Sequence, residues 1–360
     1  MIRTTTRTAG RSADTTPADT PRLDSPTQGP YHRTMRVLSG VQPSGRLHIG
    51  NYFGAIRQHL EFQDKGHECF YFIANYHALT SGLADAGQLA DLTRHVAMVY
   101  LAMGMDPKRT VFFAQSDVPQ VTELCWILNC VCLVSQMEKA TTYKDKLARG
   151  IPPSMGLFDY PVFQAADIVI YDSNVVPVGA DQKQHIEITR DLAGRFNRAF
   201  GQDVLTLPEP YIVPEVAIVP GLDGQKMSKS YNNAIELMIS PKQTKQRVSA
   251  IVTDSTPLEQ PKDPASDNVF ALLRLLASPE ETQEIAGKYR AGGYDYGHAK
   301  SRLTDLINER FAPAREKYAQ LEKDPDMVRD VLADGGRRAR EVAERTMQRV
   351  RQACGLVRTF

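Results

Sequence analysis

Residues 36–54 read RVLSGVQPSGRLHIGNYFG. The apolar run that opens this stretch has the composition of a buried strand. It enters a turn built from Gly40, Pro43, Ser44 and Gly45, and a helical pattern then spans 48–63, starting at His48. Glycine lets a backbone approach a ligand closely, and a helix N-terminus adds free N–H groups and the positive end of a dipole. The turn is neither a GxxxxGK[ST] loop nor a GxGxxG fingerprint. It is a place for a phosphate-bearing ligand whose identity the rest of the chain must supply.

Outward from this turn the pattern alternates. ECFYFIA (68–74) reads as a buried strand, 86–104 as a helix and TVFFAQ (110–115) as another strand. This order predicts an α/β fold, a Rossmann-like parallel sheet covered on both faces, with ligands beyond the strand C-terminal ends. Helical patterns follow at 120–132, 137–148, 160–171 and 182–200. A Pro- and Gly-punctuated stretch runs from 207 to 225, and only helical patterns appear beyond about 240. The expected organisation is a catalytic domain over 35–235, with inserted helices about 120–150, and an all-helical domain over 236–360. Residues 1–34 hold nine Thr, four Pro, five Arg and three Asp, a composition that cannot order itself. A disordered extension is expected there. A transit peptide fits the Arg and Thr but not Asp14, Asp19 and Asp24, and initiation at Met35 is the other reading.

The 360 residues carry a formal charge of +1, so any nucleic-acid surface must come from local clustering. No apolar run reaches the ~18 residues of a membrane span. Five cysteines, an odd and sparse set, argue for a reducing, cytoplasmic setting and buried free thiols. Cys125, Cys130 and Cys132 cluster without a CxxC pair, and no protein metal site is expected.

Three further stretches carry chemistry. In GLDGQKMSKSYNN (221–233), Lys226 and Lys229 flank Met227 and Ser228 in a loop of small and polar residues. Alone, two such lysines read as plain surface. In YPVFQAADIVIY (160–171), Tyr160, Gln164 and Asp167 share one helix face, with Asp167 among Ala and Ile. A carboxylate there is either structurally paired or an acceptor for a ligand donor such as an indole N–H. Near the C-terminus Ala339, Ala343, Met347, Val350 and Cys354 form an apolar stripe, with Arg338, Arg345 and Arg349 opposite. That basic face is either ordinary solvated surface or a phosphate track.

HIGN (48–51) resembles the HIGH motif of the class I aminoacyl-tRNA synthetases, and KMSKS (226–230) matches their second motif at every letter. GVQPSGRLHIGNYFGAIRQ and YPVFQAADIVIYDSNVVPVGADQKQHIEITRDLAGRFN (160–197) are similar to the bacterial tryptophanyl branch of that family. The resemblance runs from about Arg36 to the C-terminus. It implies a homodimer that uses ATP with Mg2+ to activate L-tryptophan and charge tRNA(Trp), with the helical domain reading the anticodon region. It implies nucleotide contacts from Gln42, Pro43, Ser44, His48, Gly50, Asn51, Gly179, Ala180, Asp181 and Ile218, and from Lys226, Met227, Ser228, Lys229 and Ser230. By the same resemblance Lys146 holds phosphate and Lys226 and Lys229 stabilise the leaving pyrophosphate. Asp167 would take the indole N–H, with Tyr160 and Gln182 on the amino-acid backbone groups and His77 and Gln164 nearby. Many relatives carry Met, Glu and Asp where this chain has Gln164, Ala180 and Asn75. The alternatives are a tyrosine-specific synthetase, a small-molecule adenylate-forming ligase, and a non-catalytic paralogue. The long Arg-rich helical region opposes the ligase of small molecules, and intact His48, Lys226 and Lys229 oppose a silent paralogue.

Overall fold

The computed structural model describes residues 34–81, 86–140, 143–144, 150, 154–178, 183–201, 203–212 and 219–356. The expectations for residues 1–33, and half of the helix expected over 137–148, lie outside them. Within 137–148 only the one-turn helix Val134–Met137 and residues 138–140 and 143–144 bear on that expectation.

Thr34–Phe360 forms one compact unit around a sheet of five parallel strands. They are β1 (Arg36–Val41), β2 (Glu68–Ile73), β3 (Thr110–Ala114), β4 (Val175–Val178) and β5 (Glu209–Ile212), in the order β3-β2-β1-β4-β5. The register runs Val37↔Cys69 and Cys69↔Thr110 on one side of β1 and Val37↔Val175 on the other. Both faces are buried, which explains the continuous apolar runs of β2 and β3. Val37, Cys69, Tyr71, Ile73 and Phe112 belong to one core cluster, and Leu38, Phe70, Phe72, Val111 and Phe113 to the other. The split follows the period of two along each strand.

The longer helices are α1 (Arg57–Asp64), α2 (Ala86–Ala102), α3 (Gln120–Asn129), α4 (Met155–Val169), α5 (Lys183–Phe200), α6 (Pro241–Ser249), α7 (Asn268–Leu273), α8 (Pro279–Ala291), α9 (Tyr296–Glu322) and α10 (Pro325–Ala353). The chain beyond 240 is helical, as expected. Its prolines start helices rather than merely break them. Pro241, Pro279 and Pro325 sit in first turns, behind Ser240, Ser278 and Asp324, whose side chains accept the N3 backbone N–H.

Three expectations are corrected. The helix over 48–63 is not one α-helix: an α-turn at Ile49–Asn51 passes into a π-helical stretch at Tyr52–Ile56, and only Arg57–Asp64 is regular. The stretch 207–225 contains a strand, β5, and β4 lies in a segment assigned no strand. The cysteines are all free, yet only Cys69 and Cys125 are buried; Cys130 is exposed. Among the described residues no helix is long and apolar enough to cross a membrane.

Candidate active site

Strand order reverses direction between β1 and β4, the switch point at which an open parallel sheet leaves a crevice. A cavity of about 400 Å³ lies there, lined by Gln42, Gly54, His77, Gln164, Asp167 and Pro177 among others. The π-helical stretch shapes one wall. Its extra residue per turn is marked by the Arg57 N–H donating to the Tyr52 carbonyl, five residues back. A Cβ on Gly54 would meet nothing within 4 Å, so this wall is kept open.

Asp167 forms the deep end and is 2 % exposed. Its carboxylate accepts from His77 Nε2 at 2.8 Å and from Gln115 Nε2 at 2.9 and 2.8 Å. Gln115 also accepts the backbone N–H of Tyr76 at 3.0 Å, so one amide from the end of β3 orients both Asp167 and the turn carrying His77. Sequence reasoning gave Gln115 no role. Its only signal was a polar residue at the C-terminal end of an apolar strand, where sheets of this kind place ligand-binding groups. Gln164 and Asp167 share the cavity, as their spacing predicted. Tyr160, on the same helix, places its hydroxyl 2.8 Å from His185 Nε2. The Gln42 side chain reaches the His77 carbonyl at 3.2 Å and ties the turn after β1 to the same end.

The two signature segments meet beyond Gln42, at the turn after β1. Lys229 Nζ donates to the Ser44 carbonyl at 2.7 Å, and a Cβ on Gly45 would fall on the Lys229 side chain. A Cβ on Gly50 would lie 3.0 Å from the His48 ring and 3.4 Å from Met227 Cβ. Glycine at 45 and 50 therefore lets the segments touch. The main chain joins them too: Ile49 N–H donates to the Ile235 carbonyl at 2.9 Å and Leu237 N–H to the Leu47 carbonyl at 3.0 Å. The Asn51 side chain accepts the His48 N–H at 2.9 Å. His48 is buried, and burial holds its pKa below the ordinary value, so the ring is neutral at pH 7. Its Nδ1 has no hydrogen-bond partner among the described residues. Met227 anchors the second motif in the core, while Lys226, Lys229 and Ser230 are exposed and Ser228 is half-buried. Pro43 is buried beneath the turn.

Helix α9 grips both segments. Arg310 donates to the Tyr52 hydroxyl and Arg315 Nε to the Leu237 carbonyl at 2.9 Å. Tyr318 bonds His95 Nδ1 at 2.8 Å, and His95 Nε2 accepts the Leu47 N–H at 3.2 Å. On α10 the apolar stripe is buried at Ala339, Ala343, Met347 and Val350, with Cys354 half-buried. Arg338 donates to the Pro107 carbonyl at 2.7 Å and Arg349 to Asp172 at 2.6 Å, so both hold the helix to the body, while Arg345 is exposed. Lys146, Gly179, Ala180, Asp181, Gln182 and Ile218 lie outside the described residues.

A doubly wound parallel sheet with HIGN at its first turn and KMSKS folded against it defines a class of nucleotide-activating synthetase. The family profile described as tRNA synthetases class I (W and Y) matches residues 30–312, and the chain belongs to that family. Within it, the tryptophan–tRNA ligase of Fusobacterium nucleatum is 50 % identical over 322 residues, covering 89 % of this chain and 98 % of the relative. That of Rhodopirellula baltica is 50 % identical over 322 residues, covering 89 % and 100 %. The crystal structure of Campylobacter jejuni tryptophanyl-tRNA synthetase complexed with ADP and tryptophan superposes with a TM-score of 0.84 at 47 % identity, over 89 % of this chain and all (100 %) of that one.

Proposed function

We infer that this chain activates L-tryptophan with ATP, releasing pyrophosphate, and transfers the tryptophanyl group to tRNA(Trp). The observation that carries the reading is the meeting of HIGN and KMSKS beside a cavity that ends on Asp167. The reaction is attack of a carboxylate on the α-phosphate, and the protein's part is to position both reactants and neutralise developing charge. Lys226 and Lys229 supply cationic charge for the departing pyrophosphate. Neutral His48 offers a ring without electrostatic cost to the fold, and Gly50 and Asn51, with Gln42, Pro43 and Ser44, shape the nucleotide end. We assign the remaining nucleotide contacts to Met227, Ser228, Ser230, Gly179, Ala180, Asp181, Ile218 and Lys146. Asp167, oriented by His77 and Gln115, takes the indole N–H, with Gln164, Tyr160 and Gln182 around the amino acid. A carboxylate has about four lone-pair sites, so its three existing contacts leave room for a ligand donor.

Magnesium enters with ATP. The ion is assigned to the ATP phosphates rather than to a protein metal site. We assign adenylate formation to residues 35–235 and tRNA recognition to the helices of 236–360, in the cytoplasm. A second copy of the chain is assigned to the apolar surface made by Trp126, Leu133, Val134 and Met155, which are 71, 55, 64 and 77 % exposed. ATP–pyrophosphate exchange measured with each of the twenty amino acids tests the reading. Exchange with tryptophan alone is expected; exchange with tyrosine instead would select the tyrosine-specific alternative, and none at all the silent paralogue.

A further inference from the structure

The KMSKS segment is exposed at Lys226, Lys229 and Ser230. Beside the Met227 N–H to the Val219 carbonyl at 2.8 Å and Lys229 to Ser44 at 2.7 Å, it is tied by a buried amide just beyond the motif. Asn233 is 3 % exposed. Its Oδ1 accepts the Ser228 N–H at 2.7 Å, while its Nδ2 donates to Asp223 Oδ1 at 2.7 Å and to the Lys226 carbonyl at 3.2 Å. These partners fix the amide's orientation without ambiguity, because Ser228 N–H can only donate and the two oxygens can only accept. Its own carbonyl takes the Leu222 N–H at 2.9 Å. Residues before, at the start of and in the middle of the motif are thus tied to one side chain. Gly221 makes room for it: a Cβ there would strike the Asn233 side chain. On the far side Arg247 donates to the Ala234 carbonyl at 3.0 Å and to the Asn232 carbonyl at 2.9 Å, and Asn232 sits at φ 51°, so the segment's exit is braced as well.

We propose that Asn233, with Asp223 as its partner, is a positioning residue that sets the motif so that Lys229 meets the phosphates in the transition state. The proposal rests on the synthetase reading above. Asn233 touches no reacting atom; it acts through the backbone that carries the lysines. Losing it loosens a charge contact that matters only when pyrophosphate leaves, and leaves the tryptophan end intact.

Asn233→Asp keeps the acceptor for Ser228 but replaces both donations with a carboxylate facing Asp223. We expect the kcat of ATP–pyrophosphate exchange to fall by about 10²-fold, with the tryptophan Kd close to wild type while the buried carboxylate lowers the melting temperature. Adding Asp223→Asn restores a donor–acceptor pair of opposite sense and should recover at least about tenfold of that loss. Gly221→Ala, which displaces the same amide from the other side, should reproduce the kcat loss. Wild-type kcat in Asn233→Asp overturns the proposal. So does a tryptophan Kd that worsens in step with kcat, which would make the residue structural. A wild-type chain that shows no exchange with tryptophan sinks the synthetase reading itself, and is told apart by needing no variant.

Discussion

At the scale of single residues, Asp167 and Lys229 carry opposite kinds of chemistry. Asp167 is held by His77 and Gln115, so Asp167→Ala strands the buried Gln115 amide and the half-buried His77 ring and brings no gain in stability. Its effect on recognition is the sharper one. We expect kcat/KM for tryptophan to fall by about 10²-fold or more, and by much less for 1-methyltryptophan, which has no N–H to lose. Equal losses on the two substrates would put Asp167 in structure. Lys229 now rests on the Ser44 carbonyl, a contact it can trade for phosphate. Lys229→Ala should lower the rate of adenylate formation by about 10²–10³-fold with little change in tryptophan affinity. A raised KM for ATP at normal kcat would mean that the lysine binds both states equally. The sequence singled out both, Asp167 as a lone acid among apolar neighbours and Lys229 only through the KMSKS match, since two lysines in a Gly-rich loop alone read as plain surface. It did not single out Gln115, since an amide's role depends on what two distant segments bring to it.

At the scale of elements, α10 teaches most about what packing demands. Gly335 and Gly336 interrupt its pattern, and glycine inside a helix costs about 1 kcal/mol against alanine. The structure gives the reason. A Cβ on Gly335 would fall on the Phe112 carbonyl of β3, and one on Gly336 on the Asp117 side chain. Gly335→Ala should therefore destabilise, by about 1–3 kcal/mol, where propensity alone says stabilise. Urea unfolding decides between the signs. β2 and β3 were legible because their apolar runs are long and free of proline, and β1 because its short apolar run leads into the Gly- and Pro-rich turn. β4 and β5 were not: each has only four residues and carries a proline, Pro177 or Pro210, which ordinarily demotes a strand. They form because parallel pairing with β1 and with each other, under helices, outweighs local preference. The π-helical turn was equally hidden, as its sequence is that of an ordinary helix.

At the scale of the whole molecule, buried histidines tie stability to pH. Burial pushes the His59 pKa down to about 3. Burial and then the Arg46 guanidinium push that of His95 down to about 4. In the unfolded chain both titrate near 6.5, so below that pH the unfolded state binds more protons and stability falls as pH falls. The stabilisation is complete above about 6.5 and lost progressively toward the folded values, about 2 kcal/mol for each ring at pH 5. The Asp117, Asp159 and Asp267 carboxyls, raised by burial, work in the opposite sense. The melting temperature should drop between pH 7 and 5, and His59→Phe should make that drop smaller. An unchanged slope in the variant would clear His59 of the effect. One consequence of α10 concerns how the molecule is made. Arg338 also reaches toward the Thr110 carbonyl at 3.4 Å, and Thr110 and Phe112 point the same way, so the helix lies along the open border of β3. That border is built early in the chain and its cover roughly two hundred residues later. At about 5–20 residues per second, a ribosome leaves it unprotected for tens of seconds. A bare strand border is a template for any neighbouring chain, so we expect the nascent protein to be open to edge pairing until its last long helix emerges.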